Sequence, residues 1–269
     1  MRTLILFLAL CTVLTATPLR YNGTGLTLRL LCDHECAIPG QEITVGLEIK
    51  HDEGYHTYWK NPGIIGFPMT LEWQLPPGAT VRIDHPYPEK GMMSIHPCYT
   101  YQRDVILLSS IKIPETWKKS TFEAPVDLSW MCCSVGCCPD LHTFPFSIKV
   151  ASTSKPSPYY ERLRQARLEI PQPSPEISSR LLSQVDAPTI KVELSLPSDM
   201  QPVHLFSEDN QSSSNVEQSF SAISTHNGRT TYLIELPRYK FSPKGKTSAP
   251  FILQTSSGYF TVTATHDAT

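Results

Sequence analysis

The chain has 269 residues, 40% of them hydrophobic, with a formal net charge of −2 at neutral pH. That length holds one large or two ordinary domains, and the lack of a basic excess argues against nucleic acid as a partner. Twenty-four prolines against 13 glycines, with aromatics at 9%, favour strands and turns over a helical bundle.

The first residues read as a targeting segment. Arg2 supplies a positive start, Leu4 to Leu14 form a short apolar run, and Thr15-Ala16-Thr17 follow. This pattern predicts a signal peptide over residues 1–17, cleaved near Ala16, and the run is short for a membrane span. Cys11 lies inside the run, but Leu10 stands where a lipid-attachment motif wants a small residue, so a lipid anchor is the secondary reading. Export implies an oxidising compartment where disulfides persist. Seven cysteines remain after cleavage: Cys32, Cys36, Cys98, Cys132, Cys133, Cys137 and Cys138. An odd number leaves at least one thiol without an intramolecular partner, and Cys98 is the natural candidate. No later segment is apolar for 18 residues.

Period-two alternation dominates the mature chain. It runs through Leu26, Leu28 and Leu30, through Ile43, Val45, Leu47 and Ile49, and through Leu71, Trp73 and Leu75. It returns at Val126, Leu128 and Trp130, and again at Phe144, Phe146, Ile148 and Val150. Each run predicts a strand with one buried face, separated by turns such as Asn61-Pro62-Gly63 and Pro76-Pro77-Gly78. An immunoglobulin-like antiparallel β-sandwich is therefore expected over residues 18–152. Residues 153–187 read as a linker with short helices: Tyr159 to Leu168 has helical character, stopped by Ile170-Pro171, and Pro175 to Val185 is a second helical candidate. Alternation resumes at Ile190, so residues 188–269 read as a second, smaller β domain. The fold class is all-β.

Four of the eight cysteines fall within seven residues, in Trp130-Met131-Cys132-Cys133-Ser134-Val135-Gly136-Cys137-Cys138-Pro139. Such a cluster carries out thiol–disulfide chemistry, binds a soft metal or staples a loop. Strand parity puts Cys132 on the buried face with Trp130 and turns Cys133 outward, towards an exposed edge. In a continuing strand Cys133 and Cys137 would lie about 13 Å apart, too far for a disulfide. The chain must bend between them, and Gly136 offers the means. Pro139 keeps Cys138 extended, and a return strand is expected from Phe144. Adjacent Cys132 and Cys133 make a strained bridge and are not paired with each other. The soft-metal reading would use Cys132, Cys133, Cys137 and Cys138 with His142 as a nitrogen ligand for copper or zinc. Cys32 and Cys36 have the same spacing near the first strands and read as a structural disulfide. An exported sandwich with inert disulfides is the third reading. No nucleophile–base triad, phosphate loop or HExxH motif is recognisable, and no cofactor is implied.

The residues from Gly54 to Pro139 resemble the N-terminal periplasmic domain of DsbD/ScsB-type thiol:disulfide interchange proteins. The resemblance rests on Gly54-Tyr55-His56-Thr57-Tyr58-Trp59-Lys60-Asn61-Pro62-Gly63, on Gly66-Phe67-Pro68, Leu71-Glu72-Trp73, Pro86-Tyr87-Pro88-Glu89-Lys90 and Tyr99-Thr100-Tyr101. The family's tryptophan, two cysteines and proline map onto Trp130, Cys133, Cys137 and Pro139. The resemblance implies a periplasmic domain in which Cys133 and Cys137 cycle between dithiol and disulfide. It would pass reducing equivalents from a membrane-embedded thiol:disulfide electron donor to periplasmic thioredoxin-like proteins. If the chain is an enzyme, it is then a component of a protein-disulfide reductase. Two departures stand out. Cys132 and Cys138 occupy places that the family fills with aliphatic residues, and the membrane-spanning and thioredoxin-like parts are expected to be supplied by other chains.

Overall fold

The computed structural model describes residues 19–214 and 216–266; the expected signal peptide lies outside them. The first strands are β1 (Leu19–Gly23), β2 (Leu26–Cys32), β3 (His34–Ala37), β4 (Glu42–His51) and β5 (Thr57–Gly63). Next come β6 (Thr70–Trp73), β7 (Thr80–Asp84), β8 (Glu89–Met93), β9 (His96–Tyr101) and β10 (Val105–Lys112). Then follow β11 (Thr121–Glu123), β12 (Val126–Cys133), β13 (Cys137–Phe144), β14 (Ser147–Val150) and β15 (Lys155–Pro156). Helix α1 (Tyr160–Ala166) and a 3-10 turn at Arg167–Glu169 lead to β16 (Ser178–Leu181), β17 (Thr189–Pro197) and β18 (Pro202–Ser207). The chain closes with β19 (Ser221–His226), β20 (Arg229–Pro237), β21 (Ser248–Thr255) and β22 (Gly258–Thr265).

The fold is all-β: a sandwich, a short helical linker and a second β region. One sandwich layer is the antiparallel sheet β1-β2-β4-β10-β7, and facing it are the sheets β13-β12-β6 and β11-β14-β3-β15. The alternating residues meet between the layers. Leu26, Leu28, Ile43, Val45, Leu47 and Ile49 pack against Val126, Leu128, Trp130, Phe144 and Ile148 in one buried cluster. A third small sheet, β5-β9-β8, covers the end of the sandwich.

Helix α1 is seated by one fully buried residue, with Ala166 packed beside it, rather than by a long amphipathic stripe. Its one buried residue is Leu163, which clusters with Leu31 and Leu108. The seat exists because Gly46 has no side chain: a Cβ there would lie 2.3 Å from Leu163 Cδ2. Beside it the buried Glu48 carboxylate forms an ion pair with Arg29 at 3.1 Å and accepts a hydrogen bond from Arg162 of the helix. Ile170 turns extended and ends the helical run.

The second β region is a seven-stranded sheet, β18-β21-β22-β16-β17-β20-β19. Its own core holds Ile190, Val192, Leu194, Leu196, Ile234, Leu236, Phe251 and Leu253. The helix expected over Pro175 to Val185 is not formed. Ser178–Leu181 is instead strand β16, pairing antiparallel with β17 and parallel with β22. Ser178, Ser179 and Arg180 offer no helical apolar face, and the open slot between two strands gives their backbone groups partners.

This sheet docks on the small covering sheet. Phe206 meets Trp59 and Tyr99 edge-on at 6.4 and 4.9 Å. Asn61 donates to Ser207 O at 2.6 Å, and Lys60 pairs with Glu208 at 2.6 Å. Ser214 Oγ donates to Pro97 O at 3.0 Å and accepts from the Ile64 N–H at 3.1 Å, tying β5 to β9. His204 lies buried at this junction beside the Tyr99 hydroxyl, at 3.3 Å, and burial followed by the nearby Lys90 charge lowers its pKa to about 3.

Two outcomes follow from this packing. Leu163→Ala should cost about 2–5 kcal/mol in urea denaturation, and an unchanged midpoint would mean that α1 does not depend on its Gly46 seat. His204 takes a proton in the unfolded chain below about pH 6.5, whereas the folded chain refuses it down to about pH 3. Its stabilising share is thus complete above pH 6.5 and is lost as pH falls towards 3. The stability slope in that window should drop by up to about 1.4 kcal/mol per pH unit in His204→Gln, read from denaturation at several pH values.

Candidate functional site: a shielded disulfide at a hairpin tip

Strands β12 and β13 form a hairpin in continuous register, with Trp130 opposite Asp140, Cys132 opposite Cys138 and Cys133 opposite Cys137. The loop is only Ser134-Val135-Gly136, closed by the Ser134 N–H donating to Gly136 O at 2.9 Å. The return strand therefore begins at Cys137 rather than at Phe144. A direct cross-strand pair reverses the chain without a longer bend. Val135 stands fully exposed at the tip. Gly136 has neither a positive φ nor a neighbour within 4 Å of a Cβ, so the turn does not depend on glycine there.

Cys133 and Cys137 are joined in a disulfide, with Cα atoms 4.2 Å apart. The reversal replaces the 13 Å of an extended strand by the width of an antiparallel pair. Parity holds: Cys132 points into the main core with Trp130, while Cys133 points to the opposite face. The expected exposure does not hold, because Cys133 is fully buried. The opposite face is roofed by the β5-β9-β8 sheet, whose Tyr58 and Cys98 form a separate apolar cluster with Cys133, joined by Met93, Met131 and Ile65.

The roof is fastened through backbone and side chains. The His56 N–H donates to Cys133 O and the Cys133 N–H to His56 O, both at 2.9 Å. Tyr58 Oη donates to Cys133 Sγ at 3.3 Å, and Cys137 Sγ lies 3.7 Å from Met93 Sδ. Burial pushes the Tyr58 hydroxyl up to about 12, helped by the neighbouring thiols Cys98 and Cys132, so it stays a donor at neutral pH. Cys98 is raised to about 11 by burial. Cys132 reaches about 12 through burial, then Cys138, then Asp52. These buried thiols remain protonated and weakly nucleophilic. Arg103 is no activator of the disulfide. It stacks on Tyr87 at 3.9 Å and reaches Glu89 and Glu169.

The other cysteine expectations need correction. Cys32 and Cys36 are both free. Cys32 ends β2 of the large sheet, whereas Cys36 lies on β3 of another sheet, and the chain between them runs largely extended, which separates such a pair by about 13 Å. Cys36 Sγ donates instead to Thr153 O at 2.9 Å. The soft-metal set is not assembled: among the described residues no three His, Cys, Asp or Glu groups converge to hold an ion. Two of its sulfurs are bonded to each other, Cys132 and Cys138 face away from them, and His142 stacks on Tyr21 at 4.3 Å. Spacing alone did not reveal Tyr58, Met93, Cys98 or His56 as neighbours of the disulfide. Tyr58 does lie within the family-like run from Gly54, which is where a signal was available.

The site is thus a disulfide at the end of a β-sandwich, closed by a three-residue loop and shielded by a tyrosine and a methionine. The family model of the N-terminal domain of the thiol:disulfide interchange protein DsbD matches residues 29–146. The crystal structure of the N-terminal periplasmic domain of ScsB from Proteus mirabilis is similar in fold, with a TM-score of 0.65 and 13% identity over 91% of this chain and 94% of that one. No curated protein matches the sequence. Among the described residues no helix is long and apolar enough to cross a membrane.

The shield sets the reactivity. Thiol–disulfide exchange needs an attacking thiolate to reach a sulfur, so the roof must open locally first. Met93→Ala removes a half-buried cover and lowers that opening by roughly 1.4 kcal/mol. Reduction by dithiothreitol should then be about tenfold faster, followed by quenched alkylation. An unchanged rate would show that Met93 is not part of the barrier.

Proposed function

We propose that this chain is an exported relay domain, taking reducing equivalents from a membrane-embedded thiol:disulfide donor and handing them to periplasmic thioredoxin-like proteins. The observation that carries the reading is the shielded Cys133–Cys137 disulfide, within the segment that matches the DsbD N-terminal family model. Residues 1–17 would act as the signal peptide, and the sandwich over 18–152 would be the catalytic unit. The linker over 153–187 and the β region over 188–269 would hold the roof strands in place.

The exchange is balanced between two cysteine pairs. A donor thiolate attacks one sulfur of the Cys133–Cys137 disulfide and expels the other as thiolate. The donor's second thiol then attacks the mixed disulfide, leaving a dithiol here and a disulfide on the donor. The same steps in reverse reduce the acceptor. Each partner needs access to one sulfur, and Cys137 is the more accessible, half-buried at the β13 end where Cys133 is fully covered. Shielding serves such a relay by keeping unrelated thiols and disulfides from exchanging with it.

Trapping tests the proposal. Cys133→Ser or Cys137→Ser leaves one thiol that cannot resolve a mixed disulfide, so a partner adduct should accumulate in cells and vanish on reduction. The relay reading fails if neither variant captures a thioredoxin-like or membrane partner above the level seen with Cys32→Ser.

A further inference from the structure

The same hairpin register that closes one disulfide sets a second pair of sulfurs face to face. Cys132 lies directly opposite Cys138, one ladder step from the bonded pair, and both are free thiols. The ladder fixes their separation. Cys133 exchanges both backbone hydrogen bonds with His56 on its outer edge, so Cys133 and Cys137 are a non-hydrogen-bonded pair, in keeping with their 4.2 Å Cα separation. The next step must then be a hydrogen-bonded pair, in which Cα atoms stand about 5.5 Å apart. That distance lies inside the disulfide range of roughly 4.4–6.8 Å. Pro139, which has no N–H, falls on the following non-hydrogen-bonded step opposite Met131, as this alternation requires.

We propose that Cys132 and Cys138 form a second dithiol/disulfide couple on the opposite face of the hairpin, so that the hairpin stores four electrons rather than two. Residues paired in an antiparallel ladder project to the same side of the sheet, so neither sulfur needs to cross the strand. Their environments differ in a useful way: Cys132 is fully buried in the main core, whereas Cys138 is half-buried. Cys138 is thus the entry point and Cys132 the resolving thiol. Burial holds Cys132 protonated at neutral pH, so it reacts only after Cys138 has been captured beside it.

The oxidant is an external disulfide, R–S–S–R. The Cys138 thiolate attacks one sulfur, forming Cys138–S–S–R and releasing one RS⁻. Cys132 then attacks the Cys138 sulfur, forming the Cys132–Cys138 bond and expelling the second RS⁻, which takes up the Cys132 proton. Two thiols here lose two electrons and two protons, and one external disulfide becomes two thiols. No direct transfer from the Cys133–Cys137 pair is involved, because the two pairs face opposite sides of the sheet. The inference therefore stands independently of the relay.

The test uses the full chain with Cys133→Ser and Cys137→Ser combined. It is exposed to oxidised glutathione, then unfolded and alkylated, and the intact mass gives the number of remaining thiols. Two thiols fewer than in the reduced sample are expected, and adding Cys138→Ala should abolish that loss. Full alkylation, a persistent glutathione adduct without loss of a second thiol, or a two-thiol loss that survives Cys138→Ala would each overturn the proposal. Should the double variant fold poorly, the wild-type chain gives the same answer. Full oxidation should protect two more thiols in wild type than in Cys138→Ala, and equal protection would overturn it.

Discussion

The antiparallel ladder between β12 and β13 is the constraint on which the site depends. It runs unbroken from Val126 opposite Phe144 to Cys133 opposite Cys137. Once the core residues Val126, Leu128 and Trp130 point inward, the positions of the four hairpin cysteines are decided. A slip of one residue would turn the whole apolar face of β12 outward and would put Cys133 into the core. The hydrophobic core of the sandwich thus acts as the alignment device for the disulfide. Core and chemistry are coupled through register, not through contact.

A second constraint comes from the roof. On a bare hairpin the disulfide would face water, and any thiol could reach it. The small sheet β5-β9-β8 covers it on one side and is itself covered on the other by the seven-stranded sheet. Tyr58 faces the disulfide while Trp59, its neighbour on the pleat, meets Phe206. This alternation makes β5 the shared wall of two interfaces. Gly63 lets that wall close: with φ at +88°, it also leaves room for Ser214, whose Oγ would lie 2.1 Å from a Cβ there. The C-terminal sheet therefore packs on the outer side of the wall whose inner side faces the disulfide.

Much of this was legible in the sequence because it depends on local periodicity. The strand runs at Leu26, Ile43, Val126 and Phe144 all entered the core, and Cys132 separated from Cys133 by parity alone. The helical run from Tyr159 was also readable, since Ile170-Pro171 marks its end. What escaped was non-local. Whether the outward face of Cys133 meets water depends on where β5, β8 and β9 are brought by distant pairings, and no spacing encodes that. Cys32 and Cys36 share the three-residue gap of the bonded pair Cys133 and Cys137 yet lie on different sheets, so equal spacing led to unequal geometry. The stretch around Ser178 failed for a related reason. A short polar segment has little intrinsic preference, and the empty slot between β17 and β22 made it a strand.

The contrast among the thiols follows from the same geometry. A buried thiol far from a positive charge is held protonated, because desolvation penalises the thiolate, and this applies to Cys98, to Cys132 and to Cys32, each raised to between about 11 and 12. The sulfurs left with other chemistry are those already bonded and those that are only half-buried. In the hairpin, Cys137 is bonded to Cys133 and half-buried, and Cys138 is free and half-buried. They are adjacent in sequence and point to opposite faces, so a partner approaching one side of the hairpin encounters one sulfur only. Two differently placed sulfurs can share a single strand end because the pleat of a β-strand separates them more securely than distance along the chain would.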